Sequence, residues 1–294
     1  MNAPGLDQIT VVIVTFNSAH CLRTRSTHLN GFAQLVIVDN GSQDDIFETC
    51  EQYLPNAQLI RLQKNLGFGA ANNIALRDLR TPFALLLNPD CELTPDTAQI
   101  LLNAAEQFPE AALLVPQIVR PDGTPEISYR WPSRRWVSRG PAAQGMCCVG
   151  FATGAAMLLR AENFSSVGFF DEDYFLYYED EDLCQRLFKA GCGIIVVPHA
   201  FATHASRSSV KEGFPWRSEY IRGFHHAQSK LIFETKHGHV SHVQTLRLRV
   251  LMLAMLSLPV RLLWPQPRYL IRLIGRIAGL LRYRGISSIE KASP

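Results

Sequence analysis

Four short apolar runs, each closed by a polar residue and followed by helix-compatible or turn-forming sequence, leave the first part of this chain few folds to choose from. Ile9 to Val14, Leu35 to Val38, Gln58 to Gln63 and Phe83 to Leu87 are rich in β-branched and aliphatic residues and are of strand length. Thr15-Phe16-Asn17-Ser18 follows the first run and supplies helix N-cap residues; Asp44 to Tyr53 and Gly67 to Leu79 carry the helices after the second and third. Strand and helix units of this size predict an α/β fold with a Rossmann-like, mostly parallel sheet, right-handed crossovers and flanking helices. Such a sheet gathers Thr15, Asp39, Asn65 and Asp90 along its carboxyl edge, where open sheets bind ligands.

The fourth run, Ala84-Leu85-Leu86-Leu87, stops abruptly at Asn88-Pro89-Asp90. Two readings stand side by side: a turn built from common turn residues, or a carboxylate delivered to a ligand site. Lys64 to Asn73 contains Gly67 and Gly69 after a strand and at a helix start, which invites comparison with a dinucleotide loop. Asn72 occupies the third glycine position, and the loop falls in the third unit rather than the first, so a dinucleotide oxidoreductase is a minor alternative. Amides at a helix N-terminus suit a diphosphate or simply close packing.

Thr94 to Phe108 reads as a helix entered at Pro95, and Leu113 to Val119 and Phe151 to Arg160 as further strands. Between them, Pro121 to Met146 is polar and proline-rich, with Arg130, Trp131, Arg134, Arg135, Trp136 and Arg139; it reads equally as a solvated loop or a lid. Val167 to Leu183 then combines aromatics with Glu179-Asp180-Glu181-Asp182 at a helix start. First-turn acids compensate a helix dipole, yet a carboxylate partly desolvated by aromatics also suits a general base. The strand Ile194 to Val197 leads to His199 and His204, and His204 has Asp90 as a candidate co-ligand.

The overall charge of +3 is unevenly spread: nine basic residues after position 244 face only Glu290, which leaves +8 on the tail and −5 on the rest. Leu, Ile, Trp and Tyr interleave with those arginines, so an anionic membrane surface is the expected partner rather than nucleic acid. The run Val250 to Leu258, broken by Pro259 and Arg261, is too short to span a bilayer. A second helix would set Leu270, Ile274, Ile277 and Leu281 opposite Arg268, Arg272 and Arg276. Packing on the rest of the chain, or on a second copy as a homo-oligomer, is the alternative for this pair. Lys236-His237-Gly238-His239 has no acid nearby in sequence and reads as an exposed linker. Seven scattered cysteines without a Cys-x-x-Cys pair fit reduced thiols, and the N-terminus shows no export signal. The expected organisation is a catalytic domain over 1–240 and a basic amphipathic helical segment over 241–294.

Thr15-Phe16-Asn17, Val38-Asp39-Asn40-Gly41-Ser42, Asn65-Leu66-Gly67-Phe68-Gly69 with Asn72-Asn73, Asn88-Pro89-Asp90, Thr153-Gly154-Ala155, Phe169-Phe170-Asp171, Tyr177 to Leu183 and His204, in that order, resemble family 2 glycosyltransferases of the GT-A fold. Within that family the likeness is to bacterial rhamnosyltransferases of cell-surface polysaccharide assembly. The resemblance implies inverting transfer from a dTDP- or UDP-sugar, with L-rhamnose the first expectation and galactofuranose an alternative, to a hydroxyl of a lipid-linked saccharide. It assigns donor binding to Thr15, Phe16, Asn17, Asp39, Asn65, Gly67, Gly69, Asn72, Asn88 and Asp90. It places Mg²⁺ or Mn²⁺ on Asp90 and His204, and makes Asp180 the catalytic base with Glu179 its rival. Asn88 stands where the family's metal motif has its first acid, which keeps open a nucleotide-sugar-binding protein with impaired catalysis. The implied location is cytoplasmic, peripheral on the inner face of the membrane.

Overall fold

A computed structural model describes residues 5–129, 141–206, 209, 215–238, 242–263, 266–283 and 285. The arginine and tryptophan cluster from Arg130 to Arg139 lies outside the described residues. The polypeptide groups into two compact units, one of Met1–Phe170 with Leu183–Lys211 and one of Asp171–Asp182 with Glu212–Pro294.

The first unit carries a nine-stranded sheet. Its chain runs β1 (Ile9–Thr15), α1 (Ala19–Leu29), β2 (Gln34–Asp39), α2 (Ile46–Tyr53), β3 (Gln58–Arg61), α3 (Phe68–Arg77), β4 (Phe83–Leu87), β5 (Cys91–Glu92), α4 (Pro95–Gln107), β6 (Ala111–Val119), β7 (Cys147–Cys148), β8 (Ala156–Arg160) and α5 (Phe164–Val167), and then α6 (Glu179–Lys189), which belongs to this unit from Leu183 on, and β9 (Gly193–His204). The strand order is β3-β2-β1-β4-β8-β6-β9-β5, with β7 also paired to β9. Following the pairings, β1, β2, β3, β4, β6 and β9 point one way while β5, β7 and β8 oppose them. The sheet is therefore mostly parallel, as the strand and helix repeats predict.

The central strands are apolar at every position because both faces are covered. Along β1, Val11 and Ile13 join one core and Val12 and Val14 the other; along β4, Leu85 and Leu87 divide from Ala84 and Leu86 in the same way. The chain leaves β1 for β2 on one side, whereas β4 flanks β1 on the other. The loops after β1 and β4 thus open at a topological switch point, the place where such sheets admit ligands.

Two departures from the sequence reading concern the second half of the sheet. β8 covers only Ala156–Arg160 and lies antiparallel between β4 and β6. β9 does not stop at Val197: its register on β6 jumps from Pro116↔Val197 to Gln117↔Phe201, which accommodates Pro198, and the strand continues to His204.

In the second unit α7 (Pro215–His237), α8 (Val243–Leu263) and α9 (Pro267–Arg282) surround a core of Tyr174, Ala227, Leu231, Ile232, Phe233, Leu280 and Tyr283. α7 and α9 approach closely because glycines line their contact. A Cβ on Gly223 would sit 2.1 Å from the Arg272 carbonyl oxygen, and one on Gly275 would sit 2.1 Å from that of Tyr220. Gly279 repeats the contact against Phe224 one turn on. The arginine side of α9 consequently faces α7, while Ile274 and Leu281 stay exposed. α8 continues through Pro259 and exposes Leu248, Met252, Leu253, Met255, Leu256, Val260, Leu262 and Leu263. Among the described residues no helix is long and apolar enough to cross a membrane.

The exposed-linker reading of Lys236 and His237 is overturned. The Lys236 ammonium pairs with Asp171 and with Asp173, the latter at 2.5 Å, and His237 Nε2 lies 2.6 Å from Asp182 Oδ1. Their acids are supplied from 55 to 65 residues earlier in the chain, out of sight of a local search. His239 lies outside the described residues.

The glycine contact gives a direct test. Gly275→Val forces α9 away from α7, and its expected cost is about 1–3 kcal/mol, the usual penalty of overpacking. Thermal unfolding would read this as a clear fall in Tm, whereas Leu256→Gln at an exposed position would leave Tm in place.

Candidate active site

Thr15 ends β1, fully buried, with its hydroxyl donating to the Val38 carbonyl at 3.4 Å and its backbone in register with Asp39. Beyond it Phe16 is partly exposed and Asn17 takes a left-handed backbone, φ 55°. The Asn17 amide donates to Ser42 Oγ at 2.9 Å, and its Oδ1 accepts from the Gln43 amide at 2.8 Å. Asp39 Oδ1 accepts from the Ser42 amide at 2.8 Å, and Oδ2 lies 3.9 Å from Arg61 Nε. The loops after β1 and β2 are thereby locked to each other.

Asn40 ties the loop after β2 to the glycine-rich turn. Its Nδ2 donates to Asn65 Oδ1 at 2.9 Å and to the Gly67 carbonyl at 3.2 Å, and its Oδ1 accepts from the Leu66 amide at 2.8 Å. Gly67 has φ 92°, a conformation that suits glycine, and Gly69 is buried in α3. Asn72 is buried, with Nδ2 donating to the Phe68 carbonyl at 2.9 Å inside the same helix. Its neighbour Asn73 holds Phe170 in both directions, Nδ2 to carbonyl at 2.8 Å and amide to Oδ1 at 3.0 Å. Phe68 meets the Phe170 ring edge-on at 5.8 Å, and a Cβ on Gly154 would lie 3.1 Å from the Phe68 ring. Three separate motifs of the sequence therefore meet in one packed cluster.

Asn88-Pro89-Asp90 is a turn, closed by the Cys91 amide donating to the Asn88 carbonyl at 2.9 Å, and the Asn88 amide donates to Ala155 at 2.9 Å. It also delivers a carboxylate. The two-residue β5 pairs antiparallel with the end of β9, Cys91 opposite His204, and the Ala205 amide donates to the Asp90 carbonyl at 3.1 Å. Asp90 is buried, and its Oδ1 lies 3.3 Å from His204 Nε2 while Oδ2 accepts from the Ser209 amide at 3.1 Å. The other ring nitrogen of His204 lies 3.2 Å from Ser206 Oγ and 4.0 Å from Glu126 Oε2. A carboxylate oxygen and an imidazole nitrogen at this separation fit two donors to one divalent cation, with bonds of about 2.1 Å. Among the described residues no group of three or more His, Cys, Asp or Glu side chains forms a complete cage. Glu126 also lines a small cavity with Gln117, Tyr129, Phe151 and Thr153.

Residues 10–168 match the model of Glycosyl transferase family 2. The chain belongs to that family. It is 30% identical over 236 residues to the N-acetylglucosaminyl-diphospho-decaprenol L-rhamnosyltransferase of Mycobacterium tuberculosis, covering 67% of this chain and 76% of the relative. A hexosyltransferase of low-salt glycan biosynthesis from Haloferax volcanii is 26% identical over 192 residues, with 62% of each covered. The fold resembles a Pyrobaculum calidifontis mannosyltransferase solved with GDP-Man and Mn²⁺, at TM-score 0.57 and 16% identity over 95% of this chain and 89% of that one. The glycosyltransferase has a GT-A-like architecture, which sets the dinucleotide oxidoreductase reading aside.

Asp180 and Glu179 fall in the second unit of this glycosyltransferase. They open α6 just after Tyr177 and Tyr178, both at φ 69°, a strained backbone for aromatic residues. Asp180 Oδ1 accepts from the Glu181 amide at 2.8 Å. Glu179 is buried, and its Oε2 has no hydrogen-bond partner among the described residues. Burial, and then the neighbouring Asp180 charge, push the Glu179 carboxyl up to about 8.

Asn40, Asn73 and Glu126 were not singled out as site residues by sequence reasoning. The first two sit inside quoted motifs, where an amide able to clamp a neighbouring backbone was the available signal. Glu126 had none, because β6 and the chain after it place it.

The raised Glu179 predicts a pH-dependent stability. Its folded value lies above the carboxylate reference of 4.5, so its contribution is intact below that pH and is lost as the pH rises toward 8. Glu179→Gln should therefore raise Tm at pH 8 and leave it unchanged at pH 4.5, measured by thermal unfolding across that range.

Proposed function

We propose that this glycosyltransferase moves L-rhamnose from dTDP-rhamnose to a hydroxyl of a lipid-linked saccharide, with inversion at the anomeric carbon. The observation that carries the reading is the meeting of Asp90 and His204, 3.3 Å apart, at the end of β9 in a family 2 fold. The rhamnosyltransferase name of the mycobacterial relative, which specifies a diphospho-decaprenol acceptor, supports the choice of donor and acceptor class.

In this reading Asp90 and His204 hold Mg²⁺ or Mn²⁺, and Thr15, Phe16, Asn17, Asp39, Asn65, Gly67, Gly69, Asn72 and Asn88 frame the donor. When bound, the divalent ion neutralises charge on the departing diphosphate. With Asn88 in place of a second acid, the protein contributes one negative charge from this motif. The acceptor oxygen bonds to the anomeric carbon as its proton passes to the Asp180 carboxylate, and the bond from that carbon to the phosphate oxygen breaks with its electron pair leaving on the nucleoside diphosphate. Burial raises the Glu179 carboxyl, which favours Asp180 over Glu179 for the base role.

The exposed apolar residues of α8 and the absence of any acidic residue between positions 243 and 283 support a peripheral seat on an anionic membrane, at the inner face where a lipid-linked acceptor is met. In functional terms we divide the chain into a catalytic part over 1–240 and a membrane-associating part over 241–294, a division that cuts through the compact unit of Asp171–Asp182 with Glu212–Pro294; association of two copies through the same helices is the competing use of that surface.

The deciding experiment supplies dTDP-rhamnose and an N-acetylglucosaminyl diphospholipid with Mn²⁺ and follows both dTDP and glycolipid product. Nucleotide bound without turnover would instead favour the impaired sugar-nucleotide binder. Asp180→Asn should lower kcat by about 10²–10⁴ with donor affinity nearly unchanged, the signature of a lost general base. Asp90→Ala should raise the Mn²⁺ concentration for half-activation about tenfold or more. Leu253→Glu with Leu256→Glu should reduce sedimentation with phosphatidylglycerol vesicles and leave Tm in place, since these side chains are 53% and 66% exposed.

A further inference from the structure

The second unit collects more positive charge than it neutralises. Glu219 on α7, almost fully buried, accepts at Oε1 from Arg268 Nε at 2.7 Å and Arg222 Nη1 at 3.4 Å, and its Oε2 forms an ion pair with Arg272 Nη2 at 2.6 Å. One carboxylate thus serves three guanidiniums. A fourth, Arg276, lies one turn further along α9, and its one side-chain hydrogen bond among the described residues is to the ring nitrogen Nδ1 of His226, at 3.4 Å. That imidazole is no anion: burial first, then Arg276, Lys230 and Arg272, push it down to about 4, so it is neutral at physiological pH. Arg272 Nε is buried with no hydrogen-bond partner among the described residues. Arg222 and Arg272 remain reachable, with side chains 20% and 33% exposed.

Geometry holds these groups together. Arg268, Arg272 and Arg276 recur every fourth residue along α9, and Glu219, Arg222 and His226 form the matching row of α7. The glycine contacts at 223, 275 and 279 bring the two rows to their closest approach. Like charges forced together without counterions repel, and guanidinium forks match phosphate oxygens in pairs. Tyr177, whose hydroxyl lies within electrostatic reach of Arg222 and Arg272, places an aromatic donor beside the same cluster. It is two and three residues from Glu179 and Asp180 in the chain.

We propose that Arg222, Arg272 and Arg276, with Tyr177 beside them, bind the diphosphate that links the acceptor saccharide to its lipid. The site deepens the transferase reading and rests on it: the acceptor is recognised by its anionic link as well as by its sugar. Its position in the unit that also carries the exposed apolar face of α8, and Ile274 and Leu281 on the far side of α9, suits a molecule with a charged link and an apolar chain.

The test titrates the full chain with geranyl diphosphate in EDTA, which keeps the diphosphate from being recruited by a cation at Asp90. Arg276→Gln, which leaves Glu219 paired, should weaken binding about tenfold or more, as expected for a lost charge-assisted contact, and Arg276→Lys should recover part of it. Unchanged affinity in both Arg276→Gln and Arg222→Gln would overturn the proposal. A second arm measures binding to phosphatidylglycerol vesicles: if the variants lose vesicle binding while geranyl diphosphate affinity holds, the arginines serve lipid headgroups and the proposal fails. Binding of dTDP-rhamnose with Mn²⁺ to the unaltered protein is followed in parallel. Its absence would count against the transferase reading alone, because the geranyl diphosphate titration is decided without donor.

Discussion

A pairing of two residues against two, at one edge of the sheet, sets the geometry of the candidate site. Cys91 and Glu92 lie antiparallel to His204 and Thr203, and that short ladder converts Asp90 and His204 from residues far apart in sequence into neighbours at 3.3 Å. Each partner arrives by a different constraint. Asp90 is set by the turn that ends β4, whose apolar residues are fixed by burial on both faces, and His204 by the register jump that lets β9 pass Pro198 and continue. So short a ladder has little stability of its own. Its precision is borrowed from the long strands beside it, which is the usual way rigid elements position a small number of polar groups.

The second unit solves a different problem with glycine. Helices that carry rows of arginine would ordinarily keep their distance, yet Gly223, Gly275 and Gly279 remove the side chains that would separate α7 and α9. Close packing then turns Arg268 and Arg272 of α9 toward Glu219 and leaves Ile274 and Leu281 outside, while Leu280 enters the core. An amphipathic helix on a water-soluble core normally does the reverse. The buried Glu219 makes this inversion possible, since Arg222, Arg268 and Arg272 share its carboxylate.

Much of this was legible in the residues. β4 was bounded correctly because strands buried on both sides leave unbroken apolar runs ended by turn formers, and the carboxyl-edge placement of Thr15, Asp39 and Asn65 follows from the repeat itself. Strand direction was not legible: nothing in Ala156–Arg160 tells an antiparallel insertion from a parallel strand, because an interior strand is apolar either way. Partners distant in sequence were missed for the same reason. Lys236 and His237 look unaccompanied until Asp171, Asp173 and Asp182 are brought to them by the packing of Tyr174 into the helical core. The row of arginines on α9 was read correctly, but its direction was set by three glycines whose significance depends on the helix opposite.

The two adjacent acids at the start of α6 show why neither residue type nor motif assigns a role without the surroundings. Glu179 and Asp180 differ by one methylene, and either could have served as base on sequence alone. Burial strips Glu179 of solvent and leaves its Oε2 without a hydrogen-bond partner among the described residues, which raises its carboxyl, and the Asp180 charge adds to the same effect. Asp180 is partly exposed and accepts from the Glu181 amide, so two adjacent acids meet different surroundings. Two like charges on neighbouring residues would be costly, and neutralising one of them is how a helix start can retain the other. The strained backbone at Tyr177 and Tyr178 fits this division: turning the chain left-handed at two aromatic residues is unfavourable in itself, and it sets the pair of acids in opposite environments within a single turn.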